Sequence, residues 1–243
     1  YWLRRADRFK LSPMSQMPIK HFFIIALIGF TSTIAKSEEH NRLSSAEKAD
    51  GWQLLFDGKT KNGWRNFKKD TVSEGWKVID GALTRAARNA NTIITEKQYD
   101  AFELSLEYKI SKGGNSGIMF HSTEDSNTAW KTGPEIQIQD NKDGHDPQLS
   151  GWLYELYKPD IDATYPAGQW NRLRFRLTPE KGELWMNGVK YYEFVKGSAD
   201  WKQKVASSKF ARMPHFGVPS KGHICLQDHG NEVAYRNIKI RSL

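Results

Sequence analysis

The chain has 243 residues, 38% hydrophobic and 26% charged, which suits a packed core and excludes global disorder. One cysteine excludes an internal disulfide framework and any Cys-rich zinc module. The formal charge of +8 includes Arg4, Arg5, Arg8, Lys10 and Lys20 against Asp7 alone in residues 1–35; the remaining 31 basic and 27 acidic residues are interspersed, leaving no basic stripe for nucleic acid.

In chain order, Lys20-His21 precedes an apolar run over 22–30, and Thr33-Ile34-Ala35 offers small residues for cleavage. A short positive stretch, about ten apolar residues and a small-residue exit describe a secretory signal peptide over 1–35. The run is too short for a transmembrane helix, which needs ~20 apolar residues. Met14 or Met17 then reads as the start, and the mature protein as exported, periplasmic or secreted, touching membrane only through this segment. Residues 36–50 are polar and read as a linker.

From residue 51 the pattern is strand, turn, strand. Residues 52–56 end at Asp57-Gly58, and 76–79 join 82–84 through Asp80-Gly81, a hairpin signature. Residues 102–108 alternate with period two, placing Phe102, Leu104, Leu106 and Tyr108 on one face. The Gly-rich stretch 111–117 lacks the Lys-Ser/Thr ending of a phosphate loop and reads as a tight turn presenting Asn115. Strands follow at 117–121, 135–139 and 170–177, then a hairpin over 183–194 turning at Asn187-Gly188, and strands at 223–227 and 235–240. Residues 159–162 and 199–206 read as short helices or loops. One all-β sandwich over 51–243 accounts for this pattern.

Three of these strands carry unusual outward faces. Glu135, Gln137 and Gln139 lie opposite Ile136 and Ile138; Gly117, Met119 and His121 lie opposite Ile118 and Phe120; His223, Cys225 and Gln227 lie opposite Ile224 and Leu226. As neighbours they form a polar floor in a concave groove, with Trp130, Trp152, Tyr154 and Tyr157 as walls. Amide and imidazole groups supply the paired donors and acceptors that sugar hydroxyls need. A retaining glycosidase needs two carboxylates ~5–5.5 Å apart, and here only Glu135 is one; Asp140 reaches that face only through a bulge.

In order, Leu55-Phe56-Asp57-Gly58-Lys59, Gly63-Trp64, Gly114-Asn115-Ser116-Gly117-Ile118, Glu135-Ile136-Gln137-Ile138, Pro166-Ala167-Gly168-Gln169-Trp170-Asn171, Trp185-Met186-Asn187-Gly188-Val189-Lys190, Gly222 to Gly230 and Tyr235 to Ile240 resemble the 3-keto-disaccharide hydrolase family. This family is also described as 3-keto-glucoside 1,2-lyase / 3-keto-2-hydroxy-glucal hydratase. The resemblance implies a concanavalin-like jelly roll acting on an oxidised, 3-keto glycoside or disaccharide, with His121 where Arg is more frequent. A separate dehydrogenase would supply that substrate.

Such chemistry needs a base for the proton on C2, a stabiliser of the enolate oxygen and a proton donor to the leaving oxygen. Glu135 is the candidate base; His121, His145 and His229 are candidate acids. Asn115, Gln137, Gln139, Trp152, Tyr154, Gln227 and Arg236 are candidate substrate contacts, with Gln227 or Arg236 at the ketone. No cofactor is required; a divalent cation on Glu135, His121 and His229 is the metal-assisted variant. A non-catalytic carbohydrate-binding module and, further off, an ordinary glycosidase are the competing readings.

Overall fold

The computed structural model describes residues 40–243, so the signal peptide expected over 1–35 lies outside the described residues. Thirteen strands are described: β1 (Gln53–Leu54), β2 (Trp64–Asn66), β3 (Trp76–Ile79), β4 (Ala82–Arg85), β5 (Ile93–Thr95), β6 (Phe102–Ile110), β7 (Asn115–Ser122), β8 (Glu135–Gln139), β9 (Asn171–Leu177), β10 (Gly182–Met186), β11 (Val189–Phe194), β12 (His223–Leu226) and β13 (Val233–Ser242). Two helices, α1 (Ser45–Ala49) and α2 (Ala199–Ala206), complete the regular elements with two short 3-10 turns.

All strand pairs are antiparallel. The larger sheet runs β11-β10-β9-β6-β13-β4-β3, with β1 also paired to β13; the smaller runs β2-β5-β12-β7-β8. This is the two-sheet sandwich expected from the alternation, with the jelly-roll architecture that the resemblance implied. Strand β6 turns Phe102, Leu104, Leu106 and Tyr108 inward, all fully buried. The smaller sheet answers with Ile93, Ile118, Phe120, Ile136, Ile138, Ile224 and Leu226, and together they form one continuous core. Full burial of each such side chain favours the fold by roughly 1.5–3 kcal/mol. The β10–β11 hairpin turns at Asn187-Gly188, with φ of 50° and 85°, which a two-residue turn of this hand requires.

The outer face of the larger sheet is braced by charge. Glu103 and Glu107 point away from the core but are buried, because Arg174 and Arg241 close on Glu103 and Arg236 and Arg172 close on Glu107. Burial acts to raise both carboxyls, but the guanidinium groups outweigh it and hold them below the usual range.

Residues 40–50 are not the free linker their polarity suggested. Asn41 is buried: its backbone N–H donates to Asn237 Oδ1 (2.6 Å), its Oδ1 accepts from the Asn237 backbone (2.8 Å), and its Nδ2 donates to the Gly81 carbonyl (2.8 Å). Ser44 and Glu47 form a reciprocal capping box on α1, and Glu47 pairs with Lys239 at 2.7 Å. The segment thus clips β13 to the β3–β4 hairpin. Asn41→Ala removes the side-chain half of this clip and is expected to cost about 1–3 kcal/mol, lowering the Tm by roughly 2–4 °C per kcal/mol; thermal unfolding of the two proteins measures it.

Candidate active site

Strand β8 forms one edge of the smaller sheet, and segment 151–154 hydrogen-bonds along its outer side through Gln137 N–H to Trp152 O and Tyr154 N–H to Glu135 O. Period-two alternation sends Ile136 and Ile138 into the core and Glu135, Gln137 and Gln139 to the outer face. In register beside them on β7 stand Met119, Gly117 and Asn115, and Gln227 follows β12 with its N–H bonded to the Gly117 carbonyl. Asn115, Gln137, Gln139, Glu135 and Gln227, five of the expected site residues, therefore share one surface.

That surface is polar and under-satisfied. Among the described residues, six buried side-chain polar atoms lack a partner, and five of them belong here: Asn115 Oδ1, both amide atoms of Gln137, Gln139 Oε1 and Gln227 Oε1. A buried polar atom without a partner costs about 1–3 kcal/mol, and these five stand together on one face.

Glu135 lies flat across Gly117. A Cβ placed on Gly117 would stand 2.0 Å from Glu135 Oε1, so the carboxyl occupies the space a side chain would take. Burial pushes the Glu135 carboxyl up to about 8; the Lys209 ammonium acts downward, the Asp146 charge acts further upward, and Gln227 acts downward by hydrogen bonding. Tyr154 donates to Asp146 Oδ2 at 2.8 Å, and Lys209 Nζ sits 3.8 Å from the Tyr154 ring centroid. Trp130 packs on Met119, Cys225 and Ile94 beside the floor. Asp146 and Lys209 were not anticipated: each sits in an irregular stretch, Asp146 in the 140–150 loop and Lys209 at the start of a 3-10 turn, where periodicity carries no signal.

Several expected residues lie elsewhere. His121 was placed beside Gly117 and Met119, but β7 bulges there: Met119 pairs with Cys225 and Ser122 with His223, so Phe120 and His121 together oppose Ile224. His121 takes φ of 51°, and its ring turns away to pack on Phe102 and Phe120. Its Nε2 donates to the Asp100 carbonyl (2.7 Å) and its Nδ1 accepts from Lys196 Nζ (3.1 Å). His145 and His229 are exposed on loops. The turn before His229 is held by Asp228, which pairs with Arg85 at 2.7 Å.

Arg236 belongs to β13 of the opposite sheet, where it pairs with Glu107 at 2.7 Å and stacks on Trp170, so it is not at the ketone position. Trp152 lines a separate cleft of about 220 Å³ with Lys158 and Tyr191. Asp140 does not swing to the Glu135 face; it accepts from the Gly113 and Lys142 backbones and closes its own loop. The metal set of Glu135, His121 and His229 is not assembled, and among the described residues no three His, Cys, Asp or Glu side chains form a metal-holding group.

Residues 51–241 match the model of the 3-keto-alpha-glucoside-1,2-lyase-like domain. The chain belongs to that family. It is 30% identical over 246 residues to a 3-keto-disaccharide hydrolase of Bacteroides thetaiotaomicron, covering 86% of this chain and 84% of the relative. A solved structure of a candidate glycosyl hydrolase from Parabacteroides distasonis is similar at 35% identity and a TM-score of 0.79, over 84% of this chain and all of that one. A second from the same organism matches at 27% identity and a TM-score of 0.61, over 79% of this chain and 99% of that one. These relatives support a hydrolase-like function on carbohydrate.

A carboxyl raised by folding makes stability fall as pH rises from its unfolded value, near 4.5, to about 8. Below that window both states are protonated; within it only the folded state still holds the proton. Glu135→Gln keeps the neutral shape and removes this penalty. Its Tm is expected to exceed that of the parent at pH 8 by several degrees and to approach it at pH 4, as calorimetry at the two pH values will read.

Proposed function

We propose that this protein cleaves 3-keto-glycosides by elimination across C1–C2 followed by hydration, with net hydrolysis of the glycosidic bond. The single observation carrying this reading is a lone buried carboxyl, poised near neutrality, on a floor of unpartnered amides. A ketone at C3 acidifies the C2 proton, so one base of suitable strength suffices where an unoxidised sugar would need more. General-base efficiency is highest when the base titrates near the working pH.

In this reading Glu135 takes the C2 proton. Charge develops on the C3 oxygen, and the Lys209 ammonium and the Gln137 and Gln227 amides are the donors available to it. The C1–O bond breaks, and Tyr154, held by Asp146, is the hydroxyl that can protonate the leaving oxygen. Water then adds across the double bond: its oxygen bonds to C1 as its proton returns to the Tyr154 oxygen, and Glu135, its proton exchanged with solvent after the leaving group departs, protonates C2, which restores both side chains. Asn115 and Gln139 bind ring hydroxyls. The substrate must come from a prior oxidation at C3, the work of a dehydrogenase. The sequence at 20–35 supports export to the periplasm or beyond.

A second reading takes Asp146, whose charge acts on Glu135, as the second carboxylate that residues 135–139 lack. An ordinary two-carboxylate glycosidase would use the pair directly. Incubation with a 3-keto glucoside and with the plain glucoside separates the two: turnover of the keto form alone is expected, and equal turnover of the plain form favours the glycosidase. Binding without turnover of either would leave a carbohydrate-binding module.

Two variants test the roles. Glu135→Gln is expected to lower kcat by at least ~10²-fold, in the range of general acid–base catalysis. Lys209→Met should cost ~10²-fold in kcat, as loss of one oxyanion donor does. With Glu135 as the base, kcat/KM of the parent rises about tenfold per pH unit below pH 8 and levels above it. A profile that instead falls through pH 8 would make Glu135 the acid.

A further inference from the structure

Away from the Glu135 floor, a cavity of about 760 Å³ opens between the edge of the sandwich and α2. Its walls are mainly apolar, from Leu177, Trp201, Val205, Met213 and Phe216. Lys196, His121, Lys202 and Asp100 also line it, Asp100 with its carboxylate accepting from the Ala101 N–H and not in contact with Lys196, and this is where the β7 bulge has carried the His121 ring. The volume lies within the range of small-molecule sites, ~300–1,000 Å³.

Lys196 is the unusual member. Its Nζ donates to the Pro219 carbonyl and to His121 Nδ1, both uncharged acceptors. His121 is committed to the neutral form by this arrangement, since Nδ1 accepts and Nε2 donates to Asp100 O; burial and the Lys196 charge hold it down to about 4. Among the described residues no carboxylate reaches Lys196 within ion-pair distance, although burial depresses its ammonium to about 8. Glu103 and Glu107, by contrast, each meet two arginines. Lys196 is half-buried, and at the wall of an apolar cavity its ammonium is held by neutral acceptors with no opposing charge in contact.

We propose that this cavity binds an amphipathic monoanion, its carboxylate or sulfonate on Lys196 and its alkyl or aryl body against Trp201, Val205, Met213 and Phe216. The site is independent of Glu135 and of the reaction assigned to it. The third N–H of Lys196 is the donor left for the anion.

The test uses two matched ligands on the whole protein. Anilinonaphthalene sulfonate serves as the fluorescent probe, and decanoate and decanol compete for it. A single saturable probe site is expected, with decanoate displacing the probe at a concentration at least roughly tenfold lower than decanol, the discrimination a charge-assisted hydrogen bond provides. Lys196→Met should weaken probe binding by a similar factor and erase the preference for decanoate. Val205→Trp, which fills the cavity, should abolish binding of both. No saturable probe binding, equal displacement by acid and alcohol, or an unaffected Lys196→Met protein would overturn the proposal. Should Lys196→Met fail to fold, the acid–alcohol comparison on the parent decides alone.

Discussion

The molecule depends on how it treats carboxylates buried on its sheets. Four glutamates point outward from strands and are nonetheless buried: Glu103, Glu107, Glu135 and Glu183, the last held by Arg176, Lys181 and Lys190. The first two meet guanidinium groups and stay ionised, and they brace the larger sheet. The third meets no guanidinium, so burial holds its proton more tightly, the Asp146 charge adds to this, and Lys209 and Gln227 offset only part of it. The same residue type in the same kind of strand becomes a strut on one face and a titratable group near neutrality on the other. The difference lies in the neighbours, arginine on β9 and β13 against glycine and glutamine on β7 and β8.

Gly117 is the small element that allows this. A side chain at that position would meet the Glu135 carboxyl directly, so the glutamate can lie along the sheet only because its cross-strand neighbour row has a gap. The flat carboxyl then sits among amide atoms that lack partners. Each such atom works against folding, and the large shared core offsets the cost. A site assembled this way is expensive for stability and suited to a ligand rich in hydroxyls, and sites of this kind are where folded proteins commonly give up stability for function.

Much of this was legible in the residues. Alternation alone separates Glu135, Gln137 and Gln139 from Ile136 and Ile138, and it placed the inward face of β6 correctly. It failed at His121 because one extra residue in β7 reverses every face beyond it, and no pattern in Phe120-His121-Ser122 announces the bulge. Strands β2 and β5 are three residues each, too short for periodicity to register. The clip at 40–50 was legible after all: Ser44-Ser45-Ala46-Glu47 carries the capping-box spacing, hidden in a stretch whose polarity suggested a linker. Asp146 and Lys209 act on Glu135 through their charge from irregular segments, and only the tertiary fold brings them near it.

The account turns on proton removal from C2 by Glu135. Turnover of a 3-keto glycoside in deuterated water, with the product analysed at once, reads that step directly. Elimination followed by hydration places one solvent deuterium at C2 of the released sugar, and the Glu135→Gln protein forms neither product nor label. A product that keeps its original hydrogen at C2, together with no slowing when the substrate carries deuterium at C2, would contradict the elimination route and return the reaction to direct displacement at C1.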